Sequence, residues 1–307
     1  MMNNILKRLV ESTKRRLSIP RARSYMIGEY SIILPPNHML DIYQVDYRNY
    51  DKKLPVVASL IWKKYEVMTA IDIGANVGDT AVALRGACAC PIICVEGNPN
   101  FLPYLKKNLA AIPGSFRIIP KFIGPESALQ VCNVITVNGT AHVIREENVS
   151  DLHSERGQSD DMVPITTYSA VITGNSDLPT TRLVKIDTDG FDFQIILSSI
   201  NEMATDLPVI FFEFDPSFSP KHDSREALKA VDALISVGYI HFVIYDNFGN
   251  FMFSFSSWIE DRFLDLFSFL EQSRRNGGGV SYLDVCCFSE QDKDIFSELV
   301  SGERING

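Results

Sequence analysis

The strongest constraint on the fold is the alternation of continuous apolar segments with amphipathic segments along most of the chain. Apolar runs at Pro91 to Glu96, Phe116 to Ile123 and Val209 to Phe214 predict strands that are buried on both faces. Apolar residues at helical spacing between Ser224 and Val237 predict one of the intervening helices. Such strands pack into a parallel sheet with helices on both sides, so we expect an α/β fold.

The predicted strands and the segments between them suggest how the 307 residues are organised. Six strands are expected to end, in chain order, at Ile73, Glu96, Ile123, Ile186, Phe214 and Tyr245, and a seventh spans Val280 to Phe288. Residues 1–66 are predicted to form a basic leader and a helical, irregular cap, and residues 67–307 the main domain. A β-rich insertion with a polar stretch is expected at about residues 128–172.

Charge divides the chain into two unequal parts. Residues 1–23 contain seven basic residues and one acidic residue, a net charge of +6, whereas residues 24–307 contain 22 basic and 37 acidic residues, a net charge of −15. The acidic body argues against a bare nucleic-acid substrate. The basic leader predicts either a solvated helix against the body or contact with an anionic membrane surface or a polyanionic partner.

Two further features bear on the compartment. The chain has no secretion signal and no apolar run long enough to cross a membrane, so we expect a cytoplasmic protein. The six cysteines follow neither a disulfide framework nor the C-x-x-C spacing of zinc sites, and we expect buried free thiols. They are Cys88, Cys90, Cys94, Cys132, Cys286 and Cys287.

The most informative motif is Asp72-Ile73-Gly74-Ala75-Asn76-Val77-Gly78, where the first strand of the alternating pattern gives way to a helix. Ligands of parallel sheets bind beyond the carboxyl ends of strands. Gly74 permits a tight turn and a close backbone approach, Asn76 is predicted to cap the helix, and Gly78 to let helix and strand pack closely. The spacing is G-x-x-x-G and not G-x-G-x-x-G, which weakens a pyrophosphate-binding interpretation.

An acid at the end of the next strand adds a second part to this site. Glu96 follows the glycine turn by about 20 residues, a position that suits recognition of a ribose diol. The two features predict an adenosine-containing ligand without a pyrophosphate, and S-adenosylmethionine fits better than NAD. The predicted cofactor-binding residues are Asp72, Gly74, Ala75, Asn76, Gly78 and Glu96.

Four segments of the chain resemble the FkbM family of class I S-adenosylmethionine-dependent methyltransferases. They are Ile71 to Gly78, Val95-Glu96-Gly97-Asn98-Pro99, Val184-Lys185-Ile186-Asp187-Thr188-Asp189-Gly190-Phe191, and Phe212-Glu213-Phe214-Asp215. Asp189 stands where the family has Glu, and Gly97 replaces the first Pro of the usual E-P-x-P. The resemblance runs from about residue 30 to the C-terminus.

The resemblance implies a Rossmann-like, seven-stranded, mostly parallel sheet in the order 3-2-1-4-5-7-6, with only the seventh strand antiparallel. It also implies O-methylation, commonly of sugars or polyketides. Relatives similar around Tyr245 to Gly249 often belong to bacterial surface-polysaccharide pathways. We therefore expect an acceptor hydroxyl on a sugar or glycan, in polysaccharide or related secondary-metabolite biosynthesis.

The candidate catalytic residues are Asp187, Lys185 and Glu213, because they follow or end predicted strands. Asp187 is the first choice for the catalytic centre, and its alternative is to cap the helix near Phe191. Lys185 is expected to pair with an acid or orient the acceptor. Glu213 is expected to line the acceptor pocket or to anchor the turn at Pro216.

Several alternatives stay open. Asp187, Asp189, Glu213 and Asp215 could instead bind Mg²⁺ through carboxylate oxygens, although no metal ligand is assigned. His142 and His153 are more often loop residues than bases, while His38, Tyr43, Tyr47 and Tyr50 either close over the cofactor or only pack. Two other classes are a catalytically silent module that binds S-adenosylmethionine and an NAD-dependent sugar oxidoreductase. The oligomeric state is left open.

Overall fold

The computed structural model describes residues 21–124, 132–137, 140–144, 159–188, 190–217, 224–256 and 261–306. Most of the basic leader therefore lies outside the described residues, together with Asp189 and His153. The side chain of His142 is likewise outside what the structure describes.

An eight-stranded sheet forms the centre of the fold. In spatial order its strands are β14 (Phe251–Ser256), β13 (Tyr239–Asp246), β15 (Leu283–Ser289), β12 (Val209–Phe214), β11 (Thr181–Ile186), β3 (Thr69–Ile73), β4 (Ile92–Val95) and β5 (Phe116–Ile119). Five neighbouring strands, from β5 to β12, run parallel. β15 runs antiparallel to both of its neighbours, and β14 runs antiparallel to β13.

The predicted α/β fold with a mostly parallel sheet is confirmed, but the predicted count of seven strands is wrong. The additional strand is β14, which forms a hairpin with β13 at the edge of the sheet. The carboxylate of Asp246 holds the turn, because its Oδ1 accepts hydrogen bonds from the backbone nitrogens of Phe248, at 2.9 Å, and Asn250, at 2.8 Å. Phenylalanines at alternate positions then continue the chain as a strand.

Helices cover the sheet on both faces, as the predicted alternation requires. One face carries α2 (Lys53–Tyr65), α3 (Asp79–Ala87), α4 (Leu102–Ala110) and α9 (Lys293–Asn306). The other face carries α5 (Tyr168–Thr173), α6 (Asp192–Asp206), α7 (Ser224–Ser236) and α8 (Arg262–Arg275). Each face has its own apolar core, because successive strand residues point to opposite sides: Ala70 belongs to the first core and Ile71 to the second.

The predicted strand from Phe116 to Ile123 is two separate strands. Pro120, which has no backbone N–H, separates β5 from β6 (Phe122–Ile123). β6 leaves the central sheet and pairs in parallel with β10 (Ile165–Thr166). The segment predicted to be a β-rich insertion contains an antiparallel sheet of β7 (Cys132–Val137), β8 (Thr140–Ile144) and β9 (Ser159–Val163).

The cap before β3 consists of a hairpin and two helices. β1 (Arg23–Ile27) pairs with β2 (Tyr30–Leu34), and α1 (Leu40–Asp46) precedes α2. Arg23, which we counted with the basic leader, belongs to this cap because it forms an ion pair with Asp41. Asn108 of α4 fastens the cap, since it accepts from the backbone nitrogen of Ile33 at 2.8 Å and donates to the carbonyl oxygen of Val77 at 2.9 Å.

The C-terminal helix α9, which the sequence patterns did not predict, binds α2 through two Lys–Glu pairs of different burial. Lys53 Nζ lies 2.5 Å from Glu303 Oε2, both largely buried, and the hydroxyl of Tyr245 donates to Glu303 Oε1 at 3.2 Å. Lys63 Nζ lies 2.9 Å from Glu298 Oε1, and both side chains are exposed. None of the helices that the structure describes has the length and apolar character needed to span a membrane.

These two pairs provide a matched test of what holds the C-terminal helix. We expect Glu303→Ala to lower the free energy of unfolding by about 2–4 kcal/mol, because it leaves a buried ammonium and a buried hydroxyl without their acceptor. Glu298→Ala should change it by less than about 1 kcal/mol, since exposed pairs contribute little. Urea denaturation measures both, and equal effects would contradict the assigned role of Glu303.

Candidate active site

The glycine turn after β3 packs closely against the end of β11. Gly74 has φ +80°, and a Cβ atom there would overlap the carbonyl oxygen of Asp187. The backbone nitrogens of Gly74 and Ala75 both donate to the carbonyl oxygen of Val95, at 3.0 and 3.1 Å. A residue without a side chain is therefore required at position 74.

The helix after the turn does not begin as predicted. Asn76 adopts a left-handed conformation with φ 46° and precedes the helix, so its predicted role as the cap is wrong. α3 begins at Asp79 with Gly78, φ +88°, as its N-cap. Gly78 does permit close packing, but its neighbour is Leu105 of α4, whose Cδ1 would lie 2.8 Å from an added Cβ.

Glu96 is buried where β4 ends and joins that end to the glycine turn. Its Oε2 accepts from the backbone nitrogen of Asn76 at 2.7 Å, and its Oε1 accepts from that of Asn98 at 2.6 Å. Burial raises the pKa of Glu96 to about 7, although both amide hydrogen bonds act in the opposite direction. Each oxygen keeps a second lone pair, and ribose binding by Glu96 stays a prediction.

Lys185 is the buried cation around which the site is arranged. Its Nζ donates to the carbonyl oxygen of Gly74 at 3.0 Å and lies 3.3 Å from Asp72 Oδ1 and 3.2 Å from Asp187 Oδ2. Burial alone would lower the pKa of Lys185, but Asp187 and Asp72 raise it well above its ordinary value. Lys185 is therefore charged, and it holds the ends of β3 and β11 together.

Asp72 has an unusual environment for a carboxylate. Its side chain is completely buried, and burial raises its pKa despite the charge of Lys185. The second oxygen, Oδ2, has no hydrogen-bond partner among the described residues. Buried polar atoms normally have a partner, so an unpaired carboxylate oxygen at this depth is unusual.

Asp187 does not cap α6, which was its alternative role. Asp192 holds that turn, since its carboxylate accepts from the backbone nitrogens of Thr188 and Gly190, each at 3.3 Å. The sequence reasoning missed Asp192, although an acid in the first helical turn after a glycine is a usable signal. The side chain of Asp187, 48% exposed, is paired with Lys185.

The three predicted catalytic residues line one cavity of about 650 Å³, which includes a part open to solvent. Lys185 lies near the end of β11, Asp187 directly after that strand, and Glu213 near the end of β12. The rest of its wall comes from the start of α3, the cap, the β13–β14 turn and β15. The sequence reasoning missed three lining acids, which are Asp51, Asp79 and Asp284.

The two open alternatives for the acids were an anchor of the turn at Pro216 and a metal site. The turn at Pro216 is anchored by Asp215, which accepts from the backbone nitrogen of Ser217 at 2.9 Å and pairs with Arg274. The alternative of Glu213 as the anchor of this turn is therefore not needed. In the described ranges, no group of three or more His, Cys, Asp or Glu residues is arranged to hold a metal ion.

The aromatic and histidine candidates of the cap pack against neighbouring elements. The ring of Tyr47 stacks on Phe248 with centroids 4.2 Å apart, and Tyr43 lies 5.4 Å from Tyr50. His38 is buried, with its Nε2 3.4 Å from Asn76 Oδ1. The five cysteines whose side chains are described are buried and free, as expected.

Comparisons with solved structures found methyltransferases at low similarity. No protein-family model and no curated protein matches it. An FkbM methyltransferase from Methylobacillus flagellatus KT is 14% identical over 56% of this chain, with a TM-score of 0.34. The match spans 38% of that protein's own length.

Two further structures give similar values. The precorrin-6Y C5,15-methyltransferase of Geobacter metallireducens GS-15 is 14% identical over 76% of this chain and 86% of its own, with a TM-score of 0.35. The plantazolicin methyltransferase BpumL, solved with S-adenosylhomocysteine, is 12% identical over 82% of this chain and 88% of its own, with a TM-score of 0.35.

Two glycines of the same region test the steric requirement at the turn. We expect Gly74→Ala to lower the free energy of unfolding by more than about 3 kcal/mol, because the methyl group would overlap the Asp187 carbonyl at a positive φ. Gly86→Ala, inside α3 with open space around it, should raise stability by about 0.5–1 kcal/mol. Thermal or urea unfolding measures both, and a neutral Gly74→Ala would refute the close approach.

The buried carboxylate of Glu96 predicts a pH dependence. Since its pKa rises from 4.5 to about 7 on folding, the folded protein binds this proton more tightly than the unfolded chain. The stability due to Glu96 is therefore lost as the pH rises from about 4.5 to about 7. Glu96→Gln should reduce the loss of unfolding free energy over this range by on the order of 2 kcal/mol. Urea denaturation at both ends of the range tests this, with Glu298→Gln as the exposed control.

Proposed function

We propose that the chain is an S-adenosylmethionine-dependent O-methyltransferase of the FkbM type. The observation that carries the proposal is the joint placement of the glycine turn, the buried Asp72 and the Lys185–Asp187 pair at the carboxyl ends of adjacent strands. In parallel α/β sheets this is where ligands bind. The acceptor is proposed to be a sugar or glycan hydroxyl, in polysaccharide or related secondary-metabolite biosynthesis.

The residues around the glycine turn are suited to the cofactor. When bound, S-adenosylmethionine supplies a sulfonium-activated methyl group. The unpartnered oxygen of Asp72 can accept a hydrogen bond from an ammonium group, and Glu96 can accept from ribose hydroxyls. The turn from Gly74 to Gly78 presents backbone in place of side chains at the strand end.

Three residues of the chain are proposed to bind and deprotonate the acceptor. Asp187 lies on the cavity and is half exposed, so its carboxylate can accept the proton of an acceptor hydroxyl as that oxygen is methylated. Lys185 is a positioning residue, because it holds Asp187 through an ion pair of 3.2 Å and is itself fixed by Gly74 and Asp72. Glu213 lines the acceptor side of the same cavity and can hydrogen-bond a second hydroxyl.

The proposal also covers the cellular location of the protein and the two alternative classes of function. The protein is proposed to act in the cytoplasm, with its basic leader at an anionic membrane surface where lipid-linked glycans are found. The NAD-dependent oxidoreductase is less well supported, because the turn has the spacing G-x-x-x-G and not the G-x-G-x-x-G of pyrophosphate-binding turns. A silent binding module would keep the Asp72 side of the site and would not need the Asp187 pair.

A binding and transfer experiment separates these classes. We expect calorimetry to detect S-adenosylhomocysteine but not NAD, and labelled methyl transfer to a panel of sugars and glycans to be measurable. Asp187→Asn should lower transfer by about 10²-fold or more while leaving S-adenosylhomocysteine affinity unchanged, because it removes the proton acceptor. Asp232→Asn, an exposed acid on α7, is the control.

The outcomes have separate meanings. NAD binding without a response to S-adenosylhomocysteine would overturn the cofactor assignment. Binding of S-adenosylhomocysteine without transfer to any acceptor would favour the silent module. Full transfer by Asp187→Asn would remove Asp187 from its proposed role.

A further inference from the structure

The cavity beside Asp187 is lined by carboxylates from five different parts of the chain. Asp51 precedes α2, Asp79 begins α3, Asp187 follows β11, Glu213 lies in β12 and Asp284 lies in β15. These acids do not belong to one helix or loop. The tertiary structure brings them together from distant segments of the chain.

Two cations also line the cavity, and only one of them is paired with one of these acids. Lys53 is paired with Glu303 at 2.5 Å, on the side of α9. Lys185 is shared between Asp187 and the buried Asp72, at 3.2 and 3.3 Å. Acidic groups therefore outnumber cations in the cavity lining.

The carboxylates are close enough to repel one another. Asp51 is exposed at the residue level, but loss of hydration in its surroundings, followed by the charges of Asp79 and Asp187, raises its pKa. Burial and then the charges of Asp187 and Asp51 raise the pKa of Asp284 well above its ordinary value. A positively charged group placed among them would relieve this repulsion, whereas an anion would increase it.

Two tyrosines belong to the same surroundings. Burial, followed by the charges of Asp51, Asp187, Asp284 and Asp79, raises the pKa of Tyr50. Tyr282 is half-buried; its partial burial raises its pKa, and Tyr50, Asp284, Glu213 and Asp187 add to the increase. Tyrosine rings together with carboxylates are the groups that proteins use to bind ammonium ions, through cation–π contacts and charge-assisted hydrogen bonds.

We propose that this cavity selects a cationic acceptor, one in which a protonated amino group accompanies the hydroxyl that is methylated, and that it rejects phosphorylated acceptors. The inference rests on the proposed methyl transfer and deepens it. The amino group is bound by Asp51 and Asp284, which line the cavity together with Lys185 and Asp187. Amino sugars are the class of acceptor that combines both groups on one ring.

The positive charge of the donor is a competing explanation for the same carboxylates. Asp72 and Asp79 lie on or next to the glycine turn and are suited to the donor. Asp51 and Asp284 come from the cap and from β15, so we assign these two to the acceptor. The experiment must therefore measure acceptor binding without donor.

Three hexoses that differ in charge test the proposal on the full chain. The probes are D-glucosamine, D-glucose and D-glucose 6-phosphate, measured by calorimetry near neutral pH and at low salt, in the absence of donor. We expect D-glucosamine to bind about ten-fold or more tightly than D-glucose, and D-glucose 6-phosphate to bind more weakly than both. High salt should reduce the preference.

Variants assign the effect to the cavity. Asp284→Asn should remove most of the preference for D-glucosamine and leave S-adenosylhomocysteine affinity within about two-fold, since that ligand lacks the sulfonium charge. Glu213→Gln provides a second cavity variant if Asp284→Asn fails to fold. Asp232→Asn on the exposed face of α7 should keep the full preference.

Equal binding of the three hexoses, no binding of any of them in the millimolar range, or tighter binding of the phosphate would overturn the proposal. Loss of the preference in Asp232→Asn as well would also overturn it. Failure of the proposed function is distinguishable, because it appears as absent binding of S-adenosylhomocysteine while the hexose preference persists. Failure of this inference alone appears as normal S-adenosylhomocysteine binding without a preference for the amine.

Discussion

The ammonium group of Lys185 is the interaction on which the rest of the site depends. It connects the carbonyl oxygen of Gly74, the buried carboxylate of Asp72 and the half-exposed carboxylate of Asp187. These three groups lie at the ends of the adjacent strands β3 and β11, so one charge sets the distance between the glycine turn and the proposed proton acceptor. Without that charge, Asp72 would be a buried anion with no counterion among the described residues.

A second level of organisation comes from elements that lie far away in sequence. The cap closes one side of the cavity, and Asn108 of α4 fastens it to Val77 within the glycine turn. Glu303 of the C-terminal helix forms an ion pair with Lys53. Because the charge of Lys53 is paired there, it contributes little to neutralising the acids of the cavity. The electrostatic character of the proposed acceptor site is therefore set partly by the packing of α2 against α9.

Local sequence patterns predicted the secondary-structure elements well where backbone conformation determines them. They predicted the elements less well where contacts with distant residues determine them. The buried strand β12 and the glycine turn follow from apolar runs and from Gly74, whose position admits no side chain. β14 was missed because its pairing depends on a turn held by Asp246. The cap predicted for Asn76 was wrong because its backbone nitrogen is held by Glu96, and this holds Asn76 in the turn before the helix.

The sequence by itself determined an α/β chain with a parallel sheet, a glycine turn at the end of a strand and a set of acids at strand ends. Periodicity and turn chemistry are local, so they can be read along the chain. Only the tertiary structure decided which acids share a cavity, that Asp192 and not Asp187 holds the turn before α6, and that Asp51 and Asp284 face the same space. The physical reason is that charge interactions depend on distance in space, and residues separated by more than 200 positions become neighbours only when the sheet has formed.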